Sequence, residues 1–341
     1  MNLKQLSELL GLSQTTVSRA LNGYPEVSEA TRERIMKVAK QTGYRPNRTA
    51  QRLATGKAGS IGLVMPVAPG HYSDVHFGEF LNGLSEVAVK HDFHFIITPA
   101  HPDEEAAALR ALATSGNVDA VFLAYMREHD RRLALVRTLN IPYLVHGRSF
   151  GDPEDYPFLD VDNEAAFFDA AKLLLQLGHR RFALLNGNSY HDFAIRRCLG
   201  MQRALAERGL VLEERFTQYS NMTDEAGLKG MNAFLAVPAS ERPTAVLCAS
   251  TVLALGAVRA IGEAGLTLGQ DISLIAHDDE LPMLKPENFR VPLTTTRSSL
   301  RAAGSRIAER LIGRIAGDMS APDHELWKAE LIVRASTGPA P

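Results

Sequence analysis

The run Gly11-Leu12-Ser13-Gln14-Thr15-Thr16-Val17-Ser18-Arg19-Ala20-Leu21-Asn22 decides how the first sixty residues fold. Gly11 can take a positive φ, Leu12 can plug a corner, and Ser13 is a side-chain cap for whatever follows, so the start of the run reads as a sharp turn. From Gln14 to Leu21 the apolar positions Val17, Ala20 and Leu21 share one side of a helix and leave Gln14, Thr15, Ser18 and Arg19 on the other. On the N-terminal side, Asn2 followed by Gln5 reads as a capping box, with Leu6, Leu9 and Leu10 on one stripe of a helix over Leu3 to Leu10. On the C-terminal side, Ser28 to Thr42 reads as a third helix that buries Ile35, Val38 and Ala39. Two short helices joined by a tight turn and braced by a third form a helix-turn-helix. Short polar and forked side chains at the start of the second helix suit base edges in a major groove, Arg matching guanine and Gln matching adenine. The same spacing also fits an ordinary surface hairpin of helices with solvated polar residues.

Charge favours the first alternative. Residues 1 to 57 hold ten Lys or Arg against four acids, a net of +6, whereas the whole chain of 341 residues carries −2, so the remainder carries −8. A basic end on an acidic body suits a polyanion at that end and a different task in the body. Length, 45% hydrophobic residues and 22% charged residues describe a folded protein of more than one domain. The apolar runs, such as Ile61 to Pro66 and Ala120 to Ala124, are strand-sized and far below the roughly 20 residues of a membrane span. No basic start, apolar core and cleavage site precede the first helix, so the expected location is the cytoplasm, with no membrane partner. The two cysteines, Cys198 and Cys248, lack metal-ligand spacing and are expected to be reduced and structural.

From Ser60 onward, short β-branched runs alternate with helical patterns, as in parallel sheets covered by helices. One set of strands is predicted at 61–65, 93–98, 118–124 and 141–146. A second follows the helix 163–177, at 181–186, 216–219, 244–249 and 272–277. Two sets imply two lobes, and ligands of open α/β sheets bind beyond the carboxyl ends of the strands, so the cleft between the lobes is the expected site. Asp74, His76 and Phe77 fall in the first strand-to-helix loop, facing that cleft, and Arg148 follows the strand ending at His146. The Asp278-Asp279 pair could serve a metal or acid-base chemistry, but no completed set of that kind is expected around it. There is no Gly-x-Ser-x-Gly and no phosphate-cradling glycine loop, so neither catalysis nor a cofactor is expected.

Residues 11–66, from GLSQTTVSRALNGYPEVSEATRERIMKVAKQTGYRPNRTA to IGLVMP, closely resemble the headpiece and linker of the lactose-repressor (LacI) family, and the likeness continues through LGHRRFALLNG, DISLIAHDD, VPLTTTR and ELIVRAS. The resemblance implies an all-α helix-turn-helix headpiece over 1–57 followed by an α/β sensor over 58–341, two-lobed like the periplasmic sugar-binding proteins. The chain would cross between lobes near Val161, Val291 and Ala321, giving one lobe of 58–161 with 291–320 and another of 162–290 with 321–338. It further implies that Gln14, Thr15 and Arg19 read bases while Ser13, Thr16, Ser18, Asn22, Ser28 and Thr31 contact phosphates. The signature Gly43-Tyr44-Arg45-Pro46-Asn47 precedes a hinge segment at about 47–55. Asn47, Ala50 and Leu53 would meet DNA there, Leu53 as a minor-groove wedge.

In the sensor the resemblance implies that Arg197 and Asp278 bond ligand hydroxyls and that Met222 stands where relatives present a stacking aromatic. Ser250-Thr251 replaces the family's usual Asn-Asp, and Asp74-Val75 its usual Asn-Pro. The expected partners are operator DNA, a second copy of the chain in a homodimer, and a small effector. The run Phe158-Leu159-Asp160-Val161-Asp162-Asn163 with His146-Gly147-Arg148 resembles repressors of α-glucoside uptake, so the effector is expected to be a sugar of that class; a purine or nucleoside corepressor is the alternative within the family. A solute-binding protein shares the two-lobed body but not the basic headpiece. The C-terminus shows no heptads, favouring a dimer over a tetramer.

Overall fold

The computed structural model describes residues 1–44, 56–67 and 74–341. The headpiece contains α1 (Leu3–Leu10), α2 (Gln14–Leu21) and α3 (Glu29–Thr42). Asn2 and Gln5 form the reciprocal capping box, and Gly11 ends α1 with φ of 65°. Leu6, Leu10, Val17, Ala20, Val27, Ile35 and Ala39 make the small core; Val38 only packs against its edge. The predicted hinge, with Asn47, Ala50 and Leu53, lies outside the described residues.

The body contains β1 (Ser60–Pro66), α4 (Val75–Lys90), β2 (His94–Ala100), α5 (Glu105–Thr114), β3 (Ala120–Leu123), α6 (Arg131–Thr138), β4 (Tyr143–His146), β5 (Phe158–Val161), α7 (Asn163–Gln176), β6 (Phe182–Asn186), α8 (Asp192–Ala206), β7 (Thr217–Tyr219), α9 (Asp224–Leu235), β8 (Ala245–Cys248), α10 (Thr251–Glu263), β9 (Ser273–Asp278), β10 (Thr294–Arg297), α11 (Leu300–Ile315), β11 (His324–Trp327) and β12 (Glu330–Ile332). The strands form two six-stranded sheets, in the orders β11-β5-β4-β3-β1-β2 and β12-β10-β9-β8-β6-β7. The described pairings are parallel except β10 with β12. Both faces of such sheets are covered by helices, which explains why strands such as β1 and β8 read as unbroken apolar runs rather than as alternating ones.

Both sheets are larger than the sequence suggests, and two of the three crossings move. β10 pairs with β9 from Thr294↔Ile275 to Arg297↔Asp278, so the chain stays in the second lobe past Val291 and leaves it only at Ser298-Ser299. β11 pairs with β5 in the first sheet, so the return is at Lys328-Ala329 rather than near Ala321. An apolar, β-branched run identifies a strand but carries no mark of the sheet that will pair with it. What seats α11 on the first lobe is close packing against α4: a Cβ on Gly83 would lie 1.8 Å from the carbonyl oxygen of Arg301, and one on Gly304 2.1 Å from that of Phe80. Only glycine permits that approach. Cys198 and Cys248 are buried and free, and burial pushes both thiols up, away from reactivity.

Candidate functional site

On the headpiece, Ser13 caps α2 by accepting the N–H of Thr16 at 3.0 Å, and the two hydroxyls lie 2.8 Å apart. Val17 and Ala20 are buried, whereas Gln14, Thr15 and Arg19 are exposed, so the forked and polar groups leave the core on one face. Ser18 and Asn22 are half-buried and bonded to each other at 3.4 Å. Ser28 and Thr31 pair through their hydroxyls at 2.8 Å at the start of α3. Arg32 and Arg34 donate to the carbonyls of Tyr24 and Leu10. Every sequence-derived contact residue among the described ones therefore lies on α2, its cap or the start of α3, with no buried charge to neutralise.

Between the lobes lies a cavity of about 140 Å³ lined by residues of both, among them Phe77, Phe80, Tyr125, Phe193, Arg197 and Asp279. Arg197, on α8, is buried. Its Nε donates to Asn163 Oδ1 at 2.8 Å, an Nη donates to the carbonyl of Ala249, and the guanidinium sits 5.0 Å from the Phe193 ring centroid. Burial lowers its pKa to about 10, opposed by Asp279 and Asp160, and it is still a cation at neutral pH. Facing it, Asp74 caps α4, accepts the Tyr125 hydroxyl at 3.1 Å and pairs with His76 Nδ1 at 2.8 Å. His76 Nε2 lies 3.5 Å from Asp279 Oδ2, across the lobes. Burial opposes a charge on His76, but the bond to Asp74 and the charges of Asp279 and Asp74 raise its pKa on balance. Burial likewise works against Asp279, yet His277, His76 and Arg197 hold its carboxyl at about 2. The floor of the cleft is thus a cation and a carboxylate, both fixed before any ligand arrives. Tyr125 reaches Asp74 from a left-handed φ of 53°, a backbone state that a bulky residue adopts only when its surroundings impose it.

Three expected effector residues are placed elsewhere. Asp278 does not line the cavity and its Oδ1 accepts the N–H of Glu280 at 2.9 Å; its neighbour Asp279 lines it together with His277, because side chains alternate along an extended chain. Ser250 is fully buried and caps α10 by accepting the N–H of Leu253 at 3.1 Å, so its hydroxyl is used by the fold. Arg148 lies behind the cleft wall, bonded to Asp160 at 2.9 Å and Glu154 at 3.1 Å. Asp74, His76, Phe77, Met222 and Arg197 do line the cavity.

Sequence reasoning missed Tyr125, Asp192, Phe193, His277 and Asp279. The alternation His277-Asp278-Asp279 at the carboxyl end of a predicted strand was the one available signal. Asp192 opens α8, and its N–H donates to the carbonyl of Met126 at 2.9 Å, tying the second lobe to the first. Burial and the neighbouring Asp160 raise its pKa to about 7, against the pull of Arg196 and Arg148. Arg196 also reaches Glu154 of the first lobe at 3.4 Å. A second cavity of about 300 Å³ has Asp74, Tyr125, Phe193 and Met222 among its lining residues in common with the first. Among the described residues no group of three or more His, Cys, Asp or Glu could hold a metal, and no helix is long and apolar enough to cross a membrane.

Comparison with known proteins bears on the two regions separately. A family model described as bacterial regulatory proteins, lacI family, matches residues 2–47, and one described as a periplasmic binding protein-like domain matches residues 171–337. The chain is 67% identical over 340 residues to the HTH-type transcriptional regulator AglR of Rhizobium meliloti (strain 1021), covering 100% of this chain and 95% of that one. Among solved structures it resembles the lac repressor dimer bound to operator and the anti-inducer ONPF, with a TM-score of 0.83 and 25% identity over 99% of each chain. It also resembles the transcriptional regulator CelR in complex with cellobiose, with a TM-score of 0.71 and 26% identity, covering 98% of this chain and 99% of that one.

Proposed function

Because the chain belongs to the lacI family of bacterial regulatory proteins and is a transcriptional regulator, we propose that it represses carbohydrate-utilisation genes from a pseudopalindromic operator and is released by a small sugar. In this reading residues 1–57 are the DNA-binding unit, and two copies occupy half-sites about one helical turn apart. Gln14, Thr15 and Arg19 read bases. Ser13, Thr16, Ser18, Asn22, Ser28 and Thr31 hold the phosphates, and Leu53 with Asn47 and Ala50 works at the minor groove. The body senses the effector and dimerises in the cytoplasm.

The observation that carries the reading is the pairing of an exposed polar helix face on a basic headpiece with an inter-lobe cleft whose charges are already fixed. Arg197 offers a planar fork of donors, Asp279 an acceptor, and Phe77 and Phe193 apolar faces, which together suit the alternating hydroxyls and C–H faces of a sugar ring. The likeness to a regulator solved with cellobiose supports a sugar over a purine. A ligand held by both lobes biases their relative position, and that bias is the coupling to DNA, on the order of 1 to 3 kcal/mol. The α-glucosides are the first class to test. A mobility-shift titration on operator DNA, with and without each sugar, should show weaker binding in the presence of the effector. Specific binding that persists after removal of residues 1–57 would overturn the reading.

A further inference from the structure

Three charged side chains, Glu105, Asp130 and Arg132, are buried together in the first lobe. Arg132 Nε donates to Asp130 Oδ1 at 2.9 Å and Nη2 to Asp130 Oδ2 at 2.6 Å, while Nη1 lies 3.4 Å from Glu105 Oε2. Glu105 pairs with Arg127 as well, at 2.5 Å. The local helix does not ask for this cation. Arg132 sits in the first turn of α6, the end at which the helix dipole disfavours a positive charge, and Asp130 already caps that helix by accepting the N–H of Arg132. Burying charges costs stability unless each is paired, so a buried cluster that its own helix does not require points to a task beside it.

That task is the segment just before α6. Arg132 Nη2 also donates to the carbonyls of Ala124 at 3.0 Å and Tyr125 at 3.2 Å. Successive residues of an extended chain face opposite ways, so two consecutive carbonyls converge on one nitrogen here only because Tyr125 turns the backbone with φ of 53°. His129, with φ of 48°, is a second left-handed residue other than glycine within the same short stretch, and such states persist only where the surroundings over-determine them. The segment held in this way meets the second lobe through its backbone. The Met126 carbonyl accepts the Asp192 N–H at 2.9 Å, Arg127 and His191 form an isolated antiparallel bridge, and the Glu128 N–H donates to the Tyr190 carbonyl at 3.4 Å. Asp192 is the first residue of α8, the helix that carries Arg197.

We propose that Arg132 is a positioning residue for the join between the lobes: by fixing the carbonyls of Ala124 and Tyr125 it sets the backbone of 126–128 where it pairs with 190–192. Arg132 does not line the cavity between the lobes, and its hydrogen bonds and ion pairs named above all lie within the first lobe, so it acts on the join only through the segment it holds. A lysine ammonium is a single compact donor and cannot hold Asp130, Glu105 and the two carbonyls as the separated nitrogens of the guanidinium do. In the sensor reading above, Arg132 thereby bears on the response through the relative position of the lobes, whichever effector fills the cleft.

Hydrogen–deuterium exchange of the full-length protein without added ligand, read at the Asp192 amide, tests it. Arg132→Lys and Arg132→Gln should each speed exchange there by at least about tenfold, the effect of losing one charge-assisted hydrogen bond on a local opening. The amides of Val121 in the first sheet and Ala245 in the second, bonded to the carbonyls of Pro142 and Arg181, should keep the parental rate. Arg131→Lys, at the exposed neighbouring position, should leave all three rates unchanged. If Arg132→Gln does not fold, Arg132→Lys, which keeps a cation beside Asp130 and Glu105, decides the matter. A parental rate at Asp192 in the folded lysine variant overturns the positioning role. A rate that rises there no more than at Val121 overturns it too, and makes Arg132 a support of the first lobe alone. No sugar enters the measurement, so its failure leaves the sensor reading standing, and a failed sugar titration leaves the join standing.

Discussion

The helix face of α2 and the cleft, the two ligand sites of the proposed reading, are built in opposite ways. Gln14, Thr15 and Arg19 sit within six residues of one another, on a single helix, exposed. The cleft draws Asp74, Tyr125, Phe193, Arg197 and Asp279 from elements scattered over about two hundred residues of chain, and there the charged groups are buried and partnered. A surface that meets a large polyanion needs only to present donors, because water leaves when the partner docks. A pocket that closes on a small molecule has to hold its charges in a dry place first, and each must be satisfied by the protein meanwhile. Headpiece substitutions should therefore be nearly additive and harmless to folding, whereas cleft substitutions should disturb stability and response together.

Arg197→Ala should show the largest effect. It removes a buried cation from Asn163, the Ala249 carbonyl and the ring of Phe193, so we expect about 2 to 4 kcal/mol of lost stability, read by denaturant unfolding, together with loss of the effector response. Normal stability and a normal dose response would break the contrast between the two regions. Next comes Asp192→Asn. The folded protein holds the Asp192 proton up to about pH 7, whereas the unfolded chain releases it near 4, so over that window the native state binds more protons and stability falls as pH rises. The slope is bounded by about 1.4 kcal/mol per pH unit for one proton, and in the variant this contribution disappears. Melting curves at pH 4.5, 6 and 7.5 that run parallel for parent and variant would show that Asp160, Arg196 and Arg148 do not act on Asp192 in this way.

Arg19→Ala should cost about 1 to 3 kcal/mol of operator affinity at fixed salt, with an unchanged melting temperature, since its side chain is exposed. A loss of stability would mean that the headpiece resembles the cleft after all. The smallest effect is expected for Ser250→Ala: about 1 kcal/mol of stability, from the lost cap on α10, and no change in effector affinity. A selective loss of affinity would return Ser250 to the ligand site.

How much of each region was legible follows from the same contrast. The capping box at Asn2 and Gln5, the turn at Gly11 and the three headpiece helices appear in the structure with their bounds nearly unchanged, because each depends on spacing within one turn of helix or on a single φ. The alternation of strands and helices in the body was equally plain, and with it the two sheets. Inside the cleft the signal thins out. Asp74, His76, Phe77, Met222 and Arg197 are there as expected, but Asp278 gave way to Asp279, and Tyr125 and Asp192 carried no pattern that marked them.

The sequence by itself therefore determined the helix-turn-helix, its basic charge, its polar face and the two-sheet α/β body, since hydrophobic period and capping chemistry are properties of neighbouring residues. Only the tertiary structure decided which sheet claims β10 and β11, which aspartate of the pair faces the cleft, and that Arg148 and Ser250 are already occupied. Those outcomes depend on backbone pairing and on polar partners far away in the chain. The preference of a buried charge or hydroxyl for one partner over another exists only once folding has brought the candidates together and removed the water between them.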